Sequence, residues 1–107
     1  MDRQKFIAER QWIRDQLTNV ADFWLKNGMD PVHGGVYTCL DRTGKIFSTD
    51  KSVWMQGRCG WTYAYLCNIY GVKEEWLAAS KSCLDFLEKY CVNHAAGGRL
   101  YFTVTED

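Results

Sequence analysis

The sequence predicts a mainly α-helical fold in which three helices are joined by short β-hairpins. Residues 2–27 and 74–91 repeat apolar side chains at the three- and four-residue spacing of an amphipathic helix, and a further segment that ends at about Tyr70 lies between capping residues and a glycine. Three such helices and one and a half hairpins do not close a core. We therefore expect residues 1–107 to be the N-terminal part of a single larger domain, or a piece that buries its open surface against another chain.

Composition excludes several classes of protein. The chain has 13 basic and 13 acidic residues, so no net field attracts it to nucleic acid or to an anionic membrane. Hydrophobic residues make up 47% and aromatic residues 15%, which is typical of a globular protein. No apolar run approaches the roughly 20 residues of a membrane span, and no hydrophobic signal core follows the N-terminus. We expect a cytoplasmic location.

The cysteines indicate a reducing environment. Their number is odd and none forms a Cys-x-x-Cys pair, which favours buried structural thiols over a disulfide framework or a zinc site. The five are Cys39, Cys59, Cys67, Cys83 and Cys91.

The first helix is predicted from about Asp2 to Asn27. One apolar stripe follows from spacings of seven, four, three and four residues: Phe6, Ile13, Leu17, Val20 and Trp24. Asn27 and Gly28 are expected to form a left-handed stop, with Pro31 just beyond it.

A hairpin is predicted next. Residues 36–40 and 45–48 alternate as short strands, and residues 41–44 join them with Gly44 in the left-handed region. The pair Gly34 and Gly35 is expected to take positive φ, because it closes the loop that follows the first helix.

Two further helices and one strand complete the prediction. Thr49, Asp50 and Ser52 offer caps for the second helix, and Gly71 ends it. The third helix runs from about residue 74 to 91, residues 93–98 form a turn, and residues 99–104 form a strand. A strand without a partner is an exposed edge, so we expect self-association as a homo-oligomer.

Residues 50–61 contain the main functional candidate, because Arg58 is a permanent charge in a mostly apolar run. The residues three or four positions away would share its helical face: Trp54, Met55, Trp61 and Thr62. Gly57 and Gly60 each cost a helix about 1 kcal/mol relative to alanine, which favours close backbone approach or a ligand. The alternative is a structural arginine paired with a carboxylate elsewhere in the fold.

The sequence resembles the N-terminal region of the N-acylglucosamine 2-epimerases in three segments: residues 34–42 (GGVYTCLDR), 49–51 (TDK) and 54–58 (WMQGR). Residues 99–107 (RLYFTVTED) resemble a later hairpin of the same family, whose mammalian members are also called renin-binding proteins. The resemblance implies an α/α-hairpin barrel of two concentric rings, with a central active-site cleft. It also implies enzymes several times longer than this chain, which interconvert N-acetylglucosamine and N-acetylmannosamine by moving the proton at C2.

By resemblance, Arg58 matches a family arginine that contacts the sugar near its reacting carbons. A fixed cation there could stabilise the enolate oxygen by several kcal/mol. Trp54 and Trp61 are candidate sugar-binding residues, with inner-ring packing as the alternative. Asp50 is a candidate too, either capping the second helix or holding Lys51 or the arginine near the site.

The resemblance assigns the catalytic acid and base to histidines on later helices, and neither His33 nor His94 matches them. We therefore expect this chain to be inactive alone and to need no cofactor. The resemblance makes ATP a candidate activator of the longer enzyme, as in some relatives, and the sequence leaves open whether a nucleotide acts here. Three alternatives stay open: a non-catalytic binding or oligomerisation module, an epimerase or isomerase of unmodified sugars, and a glycosidase. The last needs two carboxylates across a cleft, and only Asp50 is loosely placed for that.

Overall fold

The computed structural model describes residues 2–107, which form three long helices and six short strands. The helices are α1 (Arg3–Asn27), α2 (Val53–Tyr70) and α3 (Glu74–Phe86), and α3 continues into one wide π-helical turn at Leu87–Cys91. The strands are β1 (Cys39–Leu40), β2 (Ile46–Ser48), β3 (Lys51–Ser52), β4 (Val92–Asn93), β5 (Arg99–Leu100) and β6 (Thr103–Val104). The mainly helical prediction is confirmed.

Helix α1 has the predicted extent, but its end differs from the prediction. The Asp2 carboxylate accepts a hydrogen bond from the Lys5 backbone N–H at 2.8 Å and so caps the helix. Gly28 has φ −96° and ψ −27°, so the predicted left-handed stop is wrong. A Cβ at this position would lie 2.6 Å from Trp24 Cε3. Glycine is therefore needed here for close packing and not for a positive φ.

The apolar stripe of α1 is buried only near its C-terminal end. Phe6, Ile13 and Val20 are more than half exposed, whereas Leu17 and Trp24 pack against the core. The stripe therefore packs against the rest of this chain only over about the last two to three turns of α1.

The first hairpin is confirmed, with shorter strands than predicted. Strands β1 and β2 pair antiparallel, with Cys39 opposite Ser48, and Gly44 has φ +94° as expected. The Asp41 carboxylate organises the turn because its Oδ1 accepts from both Thr43 N–H and Lys45 N–H at 2.9 Å.

The prediction for residues 99–104 is wrong in two respects, because this segment is neither one continuous strand nor unpaired. It breaks at Tyr101 and Phe102, so that β5 pairs with β4 and β6 pairs with β3. The break has a local cause: Tyr101 N–H donates to Cys91 O at 2.9 Å, and Phe102 O accepts from Val53 N–H at 3.0 Å. Hydrogen bonds toward two different segments turn the chain, and both halves find partners within it.

Helices α2 and α3 pack together and form the main core with the end of α1. The buried members of this core are Ala21, Tyr63, Leu66, Cys67, Trp76 and Ala79. The expected close approach is confirmed at Gly60, whose backbone oxygen accepts from Ser80 Oγ at 2.7 Å. Gly57 does not fit that prediction, because a Cβ there would meet its nearest neighbour, Leu87 Cδ1, only at 3.9 Å.

The described residues form an elongated and open structure. The Cα radius of gyration is 16.2 Å, against about 13 Å for a compact domain of this length. Large apolar side chains stay exposed on all three helices, as expected of an unclosed core. No helix within residues 2–107 is long and apolar enough to cross a membrane.

The structure buries three of the five cysteines and leaves Cys39 and Cys59 partly exposed. All five are free thiols, and Cys67, Cys83 and Cys91 are buried. Among residues 2–107, no group of three or more potential ligands is placed to hold a metal ion.

Gly35→Ala is expected to lower the free energy of unfolding by about 2–4 kcal/mol, through left-handed backbone strain and overpacking together. Gly35 has φ +75°, and a Cβ there would lie 2.7 Å from Gln56 Oε1 and 2.8 Å from Phe86 Cγ. Urea unfolding measures the change. Gly97→Ala is the matched control, because Gly97 also has φ +75° but has open space around it. Equal losses in the two variants would contradict a packing role for Gly35.

Candidate functional site

Helix α2 has one face in the core and one open face. The open face carries Trp54, Arg58, Trp61 and Tyr65, which repeat at helical spacing and are all exposed. Arg58 Cζ lies 4.7 Å from the centroid of the Trp54 ring, and the Trp61 and Tyr65 rings stack at 4.8 Å with an interplanar angle of 11°. This stripe of one cation and three aromatic rings, residues 54, 58, 61 and 65, is called the α2 outer face below.

Arg58 is exposed, although it lies in a mostly apolar run of the sequence. Within residues 2–107 no carboxylate forms an ion pair with it, so the alternative of a structural arginine has no partner in the described part of the chain. Arg58 is also among the residues that line an apolar cavity of about 210 Å³ between α1, α2 and residues 36–38, next to Met55 and Thr62. A cation beside an open apolar cavity can meet a polar group of a ligand directly.

Trp54 and Trp61 are 63% and 60% exposed, so they contribute little to the core formed by this chain. Their position on the α2 outer face is compatible both with packing against further helices and with a sugar-binding role. Their role in substrate binding stays a prediction.

Asp50 does not perform either structural role considered for it. Ser52 is the N-cap residue of α2, and no side chain caps the helix there. Lys51 is held by Asp30, and within the described residues no ion pair joins Asp50 to Arg58. Neighbouring residues of an extended segment point to opposite sides, so the buried Lys51 directs Asp50 toward solvent. A contact of Asp50 with substrate stays a prediction.

A buried ion pair at the start of α2 was not predicted from the sequence. Lys51 Nζ lies 2.5 Å from Asp30 Oδ2 and donates to Gly34 O at 2.9 Å. The ammonium group also lies 4.8 Å and 4.5 Å from the ring centroids of Tyr37 and Phe86. The Lys51 and Asp30 side chains are only 5% and 1% exposed, so the pair is shielded from solvent.

Asp30 receives hydrogen bonds on both carboxylate oxygens. Besides Lys51, the backbone N–H groups of Val32 and His33 donate to Oδ1 at 2.8 and 3.1 Å. Burial alone would raise the pKa of Asp30, but these hydrogen bonds and the Lys51 charge outweigh it and lower the pKa to about 2. The Asp-Pro pair at residues 30–31 was a turn signal that could have identified this carboxylate.

The ion pair borders a cavity of about 440 Å³. Its wall includes Tyr37, Tyr90, Tyr101, Thr103 and Glu106. His33 also lies there, exposed, with Nδ1 3.5 Å from Asp30 Oδ2. Burial and the Asp30 charge raise the pKa of Tyr37, because both disfavour the charged phenolate.

Gln56 is a second missed residue, and it is fully buried. Its Oε1 accepts from Val36 N–H at 2.8 Å, and its Nε2 donates to Val36 O at 2.7 Å. One amide therefore satisfies both polar groups of a buried backbone position. Lys51 and Gln56 together tie the first turn of α2 to the 30–36 loop.

In the Asp30→Asn variant, the free energy of unfolding is expected to fall less between about pH 4 and pH 2 than it does in the wild type. The folded-state pKa of Asp30 is about 2 and the ordinary value is 3.8, so in this window the unfolded state binds more protons. Stability from Asp30 is thus complete above the ordinary value and lost as the pH falls through about 2. Urea unfolding across this range measures it.

Asp41→Asn is the control for the Asp30 titration. Hydrogen bonds from Thr43 and Lys45 also lower the pKa of Asp41, but this carboxylate is exposed in a turn, so its share of the pH dependence should be smaller. An Asp30→Asn protein with an unchanged pH dependence would contradict the assignment to Asp30.

Comparison with known proteins identifies the fold and the family. Residues 2–107 superpose on segments of α/α-barrel sugar epimerases. A cellobiose 2-epimerase from Spirochaeta thermophila matches with a TM-score of 0.84 and 25% identity, over 96% of this chain and 25% of the other. A sugar epimerase from a ruminal bacterium matches with a TM-score of 0.76 and 27% identity, over 88% and 24%. These neighbours confirm the predicted fold class.

The family follows from sequence. The sequence model of N-acylglucosamine 2-epimerase (GlcNAc 2-epimerase) matches residues 34–107, and the chain belongs to this family. The N-acylglucosamine 2-epimerases of Homo sapiens and Bos taurus are 32% and 34% identical to this chain, over alignments that cover 99% of it. The chain spans about a quarter of the length of these curated relatives.

Proposed function

We propose that the protein, at its full natural length, interconverts N-acetylglucosamine and N-acetylmannosamine by removing and returning the proton at C2. The α2 outer face is the observation that carries this proposal: it presents Arg58 beside Trp54 with no carboxylate partner in the described residues. Family membership supports the same activity, because four mammalian relatives carry the name N-acylglucosamine 2-epimerase.

Arg58 supplies the electrostatic part of this reaction. The C2 proton becomes acidic when C1 is a carbonyl, because the electrons left on C2 delocalise into the C1 oxygen as an enolate. A guanidinium directed at that oxygen stabilises the negative charge and cannot lose its own charge at neutral pH. Trp54 and Trp61 offer flat apolar surfaces for the sugar, and Asp50 offers an acceptor for a sugar hydroxyl.

No residue of this chain is assigned the role of the base or the acid that moves the C2 proton. Epimerisation needs a base on one face of C2 and an acid on the other. His33 borders the other cavity and His94 lies in an exposed turn, and neither is on the α2 outer face. The chain taken alone is therefore expected to be inactive.

A second candidate is an epimerase of unmodified sugars. The likeness to the cellobiose 2-epimerase of Spirochaeta thermophila favours it, because this match covers nearly the whole chain. The two candidates share the C2 chemistry and the role of Arg58, and they differ in the substituent at C2. A non-catalytic binding module on the same scaffold is the candidate that remains if no C2 proton moves.

The test is exchange of the C2 proton with deuterated water, followed by NMR. The full-length protein should exchange N-acetylmannosamine, and residues 1–107 alone should not. Exchange only with mannose or cellobiose would select the second candidate. Absence of exchange with all of these sugars in the full-length protein would contradict the enzymatic proposal. Exchange by residues 1–107 alone would make His33 and His94 candidates for the proton-transfer groups.

ATP is proposed as an activator of the full-length protein, and its concentration is varied in this test. Gly34-Gly35 and Gly97-Gly98 precede strand-like segments and not helices, so these residues do not build a phosphate loop. We keep nucleotide activation, a cytoplasmic location and homo-oligomer formation as parts of the proposal. Assays with and without ATP and sedimentation of the full-length protein address the first and the third.

A further inference from the structure

Two anchors hold the first turn of α2 from its inner side. Lys51, one residue before the N-cap, bonds to Asp30 and to the backbone oxygen of Gly34. Gln56, on the first turn, bonds both backbone polar groups of Val36. All the partners belong to the 30–36 loop, so this loop and the start of α2 form one hydrogen-bonded unit.

Asp30 organises the loop through hydrogen bonds of its side chain and backbone. Its Oδ1 accepts from Val32 and His33, while Gly34 N–H donates to Asp30 O at 3.2 Å and Asp30 N–H donates to Gly35 O at 3.0 Å. The carboxylate therefore links the loop backbone on one oxygen to Lys51 on the other. Removing its charge loosens the loop and the start of the helix together.

Gln56 and Arg58 lie on opposite sides of α2. Two residues along a helix correspond to a rotation of about 200°, so an anchor at position 56 fixes the direction of the side chain at position 58. Gln56 is fully buried and Arg58 is exposed, in agreement with this geometry. The α2 outer face is thus oriented by contacts made on the opposite face.

We infer that Asp30 is a positioning residue: through Lys51 its carboxylate fixes the first turn of α2 and thereby the direction of the Arg58 guanidinium. This role rests on the proposed function. Asp30 has no contact with the α2 outer face, so it acts through Lys51 and the helix. A displacement of about 1 Å at a reacting group can lower turnover about 100-fold.

The test compares Asp30→Asn with the wild type in the full-length enzyme. Turnover is expected to fall by about 10- to 100-fold with little change in KM, because the transition state depends on the direction of the cation more than ground-state binding does. Amide exchange at the first turn of α2 should become faster. Asp30→Glu, which keeps the carboxylate, should recover part of the turnover.

Two further variants separate positioning from stability. The double variant Asp30→Asn with Lys51→Met removes the buried charges together, so its Tm should lie above that of Lys51→Met alone while its turnover stays low. Asp85→Asn is the matched control, because it removes the carboxylate from an exposed lysine–aspartate ion pair on α3. That variant should leave turnover and amide exchange in α2 unchanged.

The outcomes distinguish this inference from the proposed function. A wild-type enzyme that moves no C2 proton contradicts the proposed function and, with it, this role for Asp30. If the wild type is active and the Asp30→Asn variant has normal turnover per folded molecule, the positioning role is overturned and the proposed function stands. Recovery of full turnover in the double variant would also overturn it, because it would show that stability accounts for the loss.

Discussion

Arg58→Lys is expected to lower turnover of the full-length enzyme by about 100- to 1000-fold, the usual loss for a well-placed electrostatic donor. Lysine keeps the charge but loses the planar fork, so it cannot hold an oxygen in two directions at once. The loss falls on the transition state, so kcat and kcat/KM should decrease together and KM should change little. Steady-state kinetics with N-acetylmannosamine measure this.

The Tm of the same variant tests the alternative structural role. Arg58 is exposed, and its ring contact with Trp54 is the kind of cation–π interaction worth about 0.5–1 kcal/mol at the surface. We therefore expect only a small change in Tm. Arg14→Lys, at an exposed position of α1, is the control and should change neither quantity. A destabilised Arg58→Lys enzyme with normal turnover per folded molecule would make Arg58 a scaffold residue.

Lys51→Met is expected to lower the free energy of unfolding by about 3–5 kcal/mol, the usual result of removing one partner of a buried ion pair. The Asp30 side chain is 1% exposed, so without Lys51 its negative charge would be buried and would lose its one lysine partner, although the Val32 and His33 N–H groups would remain bonded to it. Urea unfolding near neutral pH measures the loss. The loss should shrink at low pH, where protonation removes the uncompensated charge.

Lys81→Met provides the comparison for a surface pair. Lys81 bonds to Asp85 four residues along α3, and both side chains are mostly exposed. Water solvates either group when the other is removed, so a much smaller change is expected. If Lys51→Met were as stable as Lys81→Met, the buried pair would not be a determinant of this fold.

The sequence by itself determined the elements whose causes are local. The predicted limits of α1 and the predicted end of α2 match the structure within a residue, because apolar periodicity, Asp2 and Gly71 act within one or two turns. Gly35 and Gly44 have the expected positive φ, since turn chemistry depends on a few neighbouring residues. The family motifs were also readable, because the residues of each motif are adjacent in the chain.

Only the tertiary structure decided the features that join distant segments. Asp30 and Lys51 are 21 residues apart, and no local pattern indicated that they would meet. Residues 99–104 split into two strands because β6 pairs with β3, two long helices earlier in the chain, while β5 pairs with the nearby β4. Arg58 proved exposed for the same reason: burial depends on which helices pack against α2, whereas periodicity only assigns residues to a face.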